Sequence, residues 1–246
     1  MNSFIYKNKN SLIKLKRSVN KFFGVDVVRY PTENLDRRIK LLNNYNIDVI
    51  IDVGANIGQY GGEMRSIGFK GQIISFEPLN KAFEKLEKNA SNDPNWRVFN
   101  SSIGEKDGQT TINVSKNSVS SSLLDHLPQL TESAPQAAFV DKETIIIKKL
   151  DTIFDSLDIK GKNIYLKIDT QGYEEMVLAG AEKSLQFIKG IQIEMSFIPS
   201  YNGSMTFDKM KIKLNELGFQ MMALENGFYD KKTGKQLEID GIFYRN

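Results

Sequence analysis

Two glycines four residues apart, with an acid ahead of them, stand where an apolar β-branched run gives way to a helical pattern: Asp52-Val53-Gly54-Ala55-Asn56-Ile57-Gly58. Glycines in such a strand-to-helix turn let a ligand approach the backbone closely. A carboxylate at Asp52 would repel a pyrophosphate but suits an ammonium such as that of a methionine moiety. Glu77, in Ser75-Phe76-Glu77-Pro78, closes the next strand pattern, where an acid can accept both hydroxyls of a ribose. The dinucleotide fingerprint also ends its second strand in an acid, but its glycines follow G-x-G-x-x-G. An NAD(P)-dependent oxidoreductase is therefore the alternative, and a nucleoside carrying methionine is the better fit. In Asn100-Ser101-Ser102-Ile103-Gly104 a third strand pattern ends, and Ser102 and Ile103 would border an adenine. The plainer reading makes Asp52 a helix cap and Glu77 a solvated loop acid; their joint occurrence at two strand ends favours a ligand.

Reacting groups are expected beside that ligand. Asp169 follows the apolar run Ile164–Ile168, at the edge where open α/β sheets bind ligands. It can orient a substrate or take a proton, or simply cap the helix that follows. Lys167 alternates with it on the same strand face, to bind an acidic substrate or to pair with Asp169. Glu194, in Gln192-Ile193-Glu194-Met195, ends the next strand and could face Asp169 across a cleft. Two such acids could hold Mg²⁺, yet oxygen ligands without a Cys or His cluster leave a metal site disfavoured. His126 is the only histidine. An unperturbed pKa of roughly 6.5 suits a base near neutrality, provided the long loop that carries it covers the site; otherwise it is a surface side chain. Tyr173, Phe197, Tyr201 and Phe228 could line a sugar or ring pocket, core packing being the commoner use, and Met221 and Met222 read as core.

These residues need a framework of alternating elements. Helices are expected near Asn34–Asn44, Ile57–Ile67, Lys81–Ala90, Glu174–Phe187 and Phe207–Leu217. Strands are expected at Ile47–Val53, Gln72–Phe76, Arg97–Ile103, Thr110–Val114, Glu143–Lys149, Asn163–Ile168, Gly190–Met195, Phe219–Leu224 and Ile239–Tyr244. Strands alternating with helices predict a doubly wound, mostly parallel α/β sheet, and the last two strands, lacking a helix between them, predict an antiparallel pair. Ser115–Val140 reads as a long irregular segment, a kind of loop that is usually functional or mobile.

Taken together, the chain resembles the FkbM-type methyltransferases. The resemblance rests on Asp52 to Gly58, Phe76-Glu77-Pro78, Ser120-Ser121-Ser122-Leu123-Leu124, Lys149-Leu150-Asp151-Thr152, and Leu166-Lys167-Ile168-Asp169-Thr170-Gln171-Gly172-Tyr173-Glu174. It implies the class I methyltransferase (Rossmann-like) fold, S-adenosyl-L-methionine as cofactor, and O-methylation of a glycan precursor or other small molecule. By position it puts Asp52, Gly54, Gly58 and Glu77 on the cofactor, with Ala55, Asn56 and Pro78 in the same two turns, and Asp169 beside the methyl group. Methyl transfer to a hydroxyl is an in-line displacement that needs alignment, exclusion of water and removal of a proton. A catalytically inactive methyltransferase-like binding module is the non-enzymatic alternative. Ribose methylation of RNA is a further one, since Lys167, Asp169 and Glu194 resemble a Lys/Asp/Glu base constellation.

Composition narrows the partners. The 246 residues contain no Cys, which excludes disulfides, thiolate metal sites and cysteine nucleophiles. Six basic side chains and no acid lie in residues 1–24 (Lys7, Lys9, Lys14, Lys16, Arg17, Lys21), so the net charge of +3 hides a mildly acidic body. An acidic body argues against nucleic acid as partner. Leu12, Leu15, Val19 and Phe22 or Phe23 fall at helical spacing between these lysines. A basic leader over 1–33 is thus expected before a methyltransferase domain at 34–246. The leader could make peripheral membrane contact through residues 1–24 or pack on the domain. No apolar run approaches the roughly 18 residues of a spanning helix and no signal-peptide pattern appears, so a cytoplasmic protein is the expectation.

Overall fold

The computed structural model describes residues 2–245, with side chains from Ile13 onward. The chain divides into two compact units, residues 1–38 and 39–246. In order, its elements begin with α1 (Asn2–Phe23), α2 (Glu33–Asn44), β1 (Val49–Val53), α3 (Gln59–Ser66), β2 (Gln72–Phe76), α4 (Asn80–Ala90), β3 (Trp96–Phe99), β4 (Ser102–Ile103) and β5 (Gly108–Ser115). There follow α5 (Pro128–Ser133), β6 (Phe139–Lys148), α6 (Leu150–Ile153), β7 (Ile164–Ile168), α7 (Glu174–Ala179), β8 (Ile188–Ser196), α8 (Phe207–Glu216), β9 (Gln220–Asn226) and β10 (Glu238–Tyr244).

Seven strands form the main sheet in the order β3-β2-β1-β7-β8-β10-β9. The first five run parallel, and β10 inserts antiparallel between β8 and β9. Every residue of β1 and β7 is buried, as central strands covered on both faces require, which is why they read as near-continuous apolar runs. One face packs Ile51, Val53, Leu166, Ile168 and Ile193 against Val177, Met210 and Leu214. On the other face a row of polar side chains crosses four strands. Ser75 registers with Asp52, Asp52 with Lys167, and Lys167 with Gln192.

The expected doubly wound sheet and terminal antiparallel pair are present, with three differences. Arg97–Ile103 is not one strand, because the Asn100 amide donates to the carbonyls of Glu77 and Pro78 at 3.1 and 3.2 Å and bends the chain. Its second half, β4, joins β6 and β5 in a separate three-stranded sheet. The expected helix Glu174–Phe187 breaks after Ala179 and resumes as a 3₁₀ turn at Ser184–Phe187. There the Asp151 carboxylate accepts from the backbone N–H groups of Lys183 and Ser184, at 3.0 and 2.7 Å, competing with helix continuation. Met222 lies exposed on the edge strand and outside the core, whereas Met221 packs against it. The segment Ser115–Val140 is largely ordered by α5, a 3₁₀ turn at Pro135–Ala137 and a backbone exchange between Asn113 and Ser122. Among the described residues no helix is long and apolar enough to cross a membrane.

Candidate active site

The turn after β1 is held against the turn after β7. A Cβ on Gly54, whose φ is +80°, would lie 1.8 Å from the Asp169 carbonyl oxygen, so only glycine permits this approach. The N–H groups of Gly54 and Ala55 both donate to the Phe76 carbonyl, and Asp169 N–H donates to that of Val53. Asn56 and Gly58 also have left-handed backbones, with φ of 48° and 89°, and α3 begins immediately after Gly58. The result is a tight, backbone-lined loop at the carboxyl edge of the sheet, where the sequence placed it.

Glu77 braces that loop. One carboxylate oxygen accepts from Asn56 N–H at 2.8 Å and the other from Leu79 N–H at 2.9 Å. Burial pushes its pKa up to about 7, against the opposing effect of both donors. Each oxygen keeps a second acceptor position, as a ribose diol would need. Glu174 plays the same part across the cleft. Its Oε1 accepts from Thr170 N–H and Oγ1 and from Gly172 N–H, at 2.9, 3.1 and 3.1 Å. Burial raises its pKa to about 7 as well.

Asp52 lies beneath the first loop with no exposed surface. Its Oδ2 accepts from the Ser75 hydroxyl at 3.3 Å, and Ser75 Oγ accepts from the Trp96 indole at 3.0 Å. Its Oδ1 is 3.2 Å from Lys167 Nζ. Lys167 Nζ also donates to the Gly54 carbonyl at 3.2 Å and lies 3.5 Å from Asp169 Oδ2. Burial alone would lower the lysine pKa, but Asp52 and Asp169 outweigh it and drive the value up. Lys167 thus stands as an ammonium that ties Asp52 to Asp169. Beyond it, the Tyr60 hydroxyl donates to Gln192 Oε1 at 3.0 Å, closing the buried polar row.

Above this row, the Gln171 amide nitrogen is 2.9 Å from Asp169 Oδ1 and 3.0 Å from Glu194 Oε2. Asp169 and Glu194 therefore meet through one amide. Tyr201, fully buried, donates its hydroxyl to Gln171 Oε1 at 2.8 Å. Burial, then Glu238, Asp169, Glu174 and Asp240, push the Glu194 carboxyl well above the usual range.

The His126 ring tilts on Phe139 at 4.5 Å, its backbone bridges Tyr201, and no hydrogen bond among the described residues joins it to Asp169 or Glu194. Ile103 has no exposed surface and belongs to the main core, and Ser102 is nearly as buried. Pro78 contributes its carbonyl to Asn100. Among the described residues no group of three or more His, Asp or Glu side chains is arranged to hold a metal. Gln171 and Glu174 carry no sequence signal of their own beyond their place in the stretch from Asp169 to Glu174, and from sequence Tyr201 is only a possible pocket aromatic.

Residues 52–221, from the first loop to the edge strand, match the model of the methyltransferase FkbM domain. The chain belongs to the FkbM methyltransferase family. It is an S-adenosylmethionine-dependent methyltransferase, and the site fits that cofactor, with a glycine cradle beside a buried acid at the end of β2. A relative from Sinorhizobium fredii, 2-O-methyltransferase NoeI, is 24% identical over 81% of this chain and 84% of its own. Similar solved structures include magnesium protoporphyrin IX methyltransferase from Synechocystis with bound S-adenosylmethionine, at TM-score 0.46 and 9% identity over 87% of this chain and 79% of that one. Another is a putative caffeoyl-CoA O-methyltransferase from Staphylococcus aureus, at TM-score 0.46 and 11% identity over 98% and 96% of the two chains.

Proposed function

We propose that this FkbM-family enzyme methylates a hydroxyl of a carbohydrate, glycan precursor or other small molecule, with Asp169 and Glu194 as the acid–base pair. The observation that carries this reading is the convergence of the two carboxylates on one amide, next to the glycine loop. The name of the Sinorhizobium relative, a 2-O-methyltransferase, agrees with oxygen as the acceptor atom.

Bound in the loop, the cofactor supplies a methyl group on a sulfonium sulfur. Gly54, Ala55, Asn56 and Gly58 would line its methionine end, and Glu77 and Pro78 its ribose. Ser102 and Ile103, with buried side chains, would offer backbone to the adenine. Asp52, screened by the loop, would act on the methionine ammonium through its field rather than by contact. Asp169 and Glu194 would hold the acceptor hydroxyl toward that methyl group, which the cofactor would give up with its sulfur leaving as a neutral thioether. The hydroxyl proton passes to the carboxylate pair. Lys167 keeps Asp169 in place.

Calorimetric titration with S-adenosylhomocysteine, with NAD(H) and NADP(H) as controls, tests the cofactor assignment. A screen of methyl transfer from labelled S-adenosylmethionine to sugars and glycan precursors tests the acceptor. Transfer confined to nitrogen or carbon nucleophiles would overturn the O-directed reading.

A further inference from the structure

Bringing two carboxylates onto one nitrogen costs electrostatic energy unless something between them donates. The something here is neutral. Gln171 Nε2 carries two N–H groups, and its acceptors are Asp169 Oδ1 at 2.9 Å and Glu194 Oε2 at 3.0 Å. The opposite end of the amide accepts from the Tyr201 hydroxyl at 2.8 Å. The buried Tyr201 phenol faces two acceptors, Gln171 Oε1 at 2.8 Å and the Ser120 carbonyl at 3.1 Å, and the amide nitrogen on the other side faces the two carboxyl groups. The backbone is held as tightly. The Ser122 hydroxyl donates to the Gln171 carbonyl at 2.7 Å, and the residue sits in the left-handed region at φ 57°. Ser122 comes from the ordered loop and Tyr201 from the segment after β8, so two distant parts of the chain converge on this one side chain.

We propose that Gln171 is a positioning residue: its amide sets the mutual orientation of Asp169 and Glu194, and Tyr201 sets the amide. The inference rests on the reading of that pair as the acid–base group. A lysine or arginine at 171 would also bridge two acids, but its charge would suppress their basicity. An amide orients them and leaves their proton affinity available. A glutamate would supply no donor and add a third negative charge.

Other charged groups already bear on the pair: Glu238 and Asp240 from β10, Glu174 from α7, and Lys167 from β7, which reaches Asp169 Oδ2. Their effects stay constant when only Gln171 or Tyr201 is changed. The test is a pH titration of the full chain, saturated with S-adenosylhomocysteine and carrying carbon-13-labelled Asp and Glu carboxyls, followed by NMR. Gln171→Met keeps shape and neutrality but removes both donors, so the midpoint of the Glu194 carboxyl should rise further, by about one pH unit, a tenfold gain in proton affinity. Tyr201→Phe should move it the same way by less, and it carries the test if Gln171→Met does not fold. S-adenosylhomocysteine affinity should stay within about threefold, because neither side chain belongs to the cofactor loop. An unmoved or lowered midpoint in a folded variant that binds S-adenosylhomocysteine overturns the inference, because packing alone would leave the titration in place. Failure of the unaltered protein to bind S-adenosylhomocysteine would instead overturn the cofactor site beneath it.

Discussion

Glu77 braces two turns and is the proposed ribose ligand. Its two oxygens hold the turns after β1 and β2 through Asn56 and Leu79, and burial raises its pKa to about 7. Ribose hydroxyls donate best to the ionised form, so S-adenosylhomocysteine should bind more tightly as pH rises from 6 to 8 and level off above. Below the midpoint the limiting slope is about tenfold per pH unit. Calorimetry across that range should show the slope in the native protein and a flat, roughly 10- to 100-fold weaker profile in Glu77→Gln. A raised folded-state pKa also means that the unliganded protein loses stability as pH climbs from the ordinary carboxyl range through about 7. Asp169 answers to a different measurement. With 37% of its side chain exposed, it is available to an acceptor, and Asp169→Asn should lower turnover by about 10²- to 10⁴-fold. Its S-adenosylhomocysteine affinity should change less than threefold, and an equal loss in both would make Asp169 a cofactor ligand instead.

At the scale of elements, the site is a product of two strand-to-helix turns pressed together. Gly54→Ala would drive a methyl group into the Asp169 carbonyl oxygen. The ends of β1 and β7 would have to part, at a cost near the top of the roughly 0.5–3 kcal/mol usual for single substitutions. A melting temperature lower by about 5 °C or more, with weakened S-adenosylhomocysteine binding, is expected, whereas an unchanged melting curve would show that the turns are not tightly coupled. These turns were legible in the sequence because each couples an apolar run to a glycine or an acid at its end. Less legible were the places where a side chain far off in sequence overrides local pattern. Asn100 splits the seven-residue stretch Arg97–Ile103 by reaching back to Glu77 and Pro78, and Asp151 interrupts a helical pattern more than thirty residues on. Nothing local announces either contact. The polar row from Ser75 to Gln192 was hidden for a related reason. Read along one strand, Lys167 is a lone charge in an apolar run, and only cross-strand register gives it Asp52 as a partner. Gln171 lay in plain view, but an amide gives no periodic or charge signal, and its importance comes from three acceptors and donors brought by other elements.

Over the whole molecule, charge is divided between an acidic body and a basic leader, and the leader makes a prediction of its own. Helix α1 ends in Phe22 and Phe23, which are 83% and 67% exposed, and Val25, Val27, Val28 and Tyr30 that follow are exposed too. All six basic residues before residue 24 fall within the span of that helix, and none of its residues is acidic. Exposed aromatic and aliphatic groups beside clustered lysines match the two terms of interfacial binding, apolar insertion and attraction to anionic headgroups. Each basic side chain near such a surface contributes about 1 kcal/mol, and salt screens that attraction. The 246-residue chain should therefore co-sediment with vesicles containing phosphatidylserine and not with pure phosphatidylcholine, and added salt should release it. Replacing Phe22 and Phe23 by serine should weaken binding without altering its salt dependence, and reversing the charges at Lys14, Lys16 and Arg17 should abolish the lipid preference. Neither change touches the residues assigned to the cofactor, so S-adenosylhomocysteine affinity in solution should be unmoved. Equal sedimentation with both vesicle types would leave the apolar residues alone responsible, and no sedimentation with either would make the leader's apolar face a surface for protein instead.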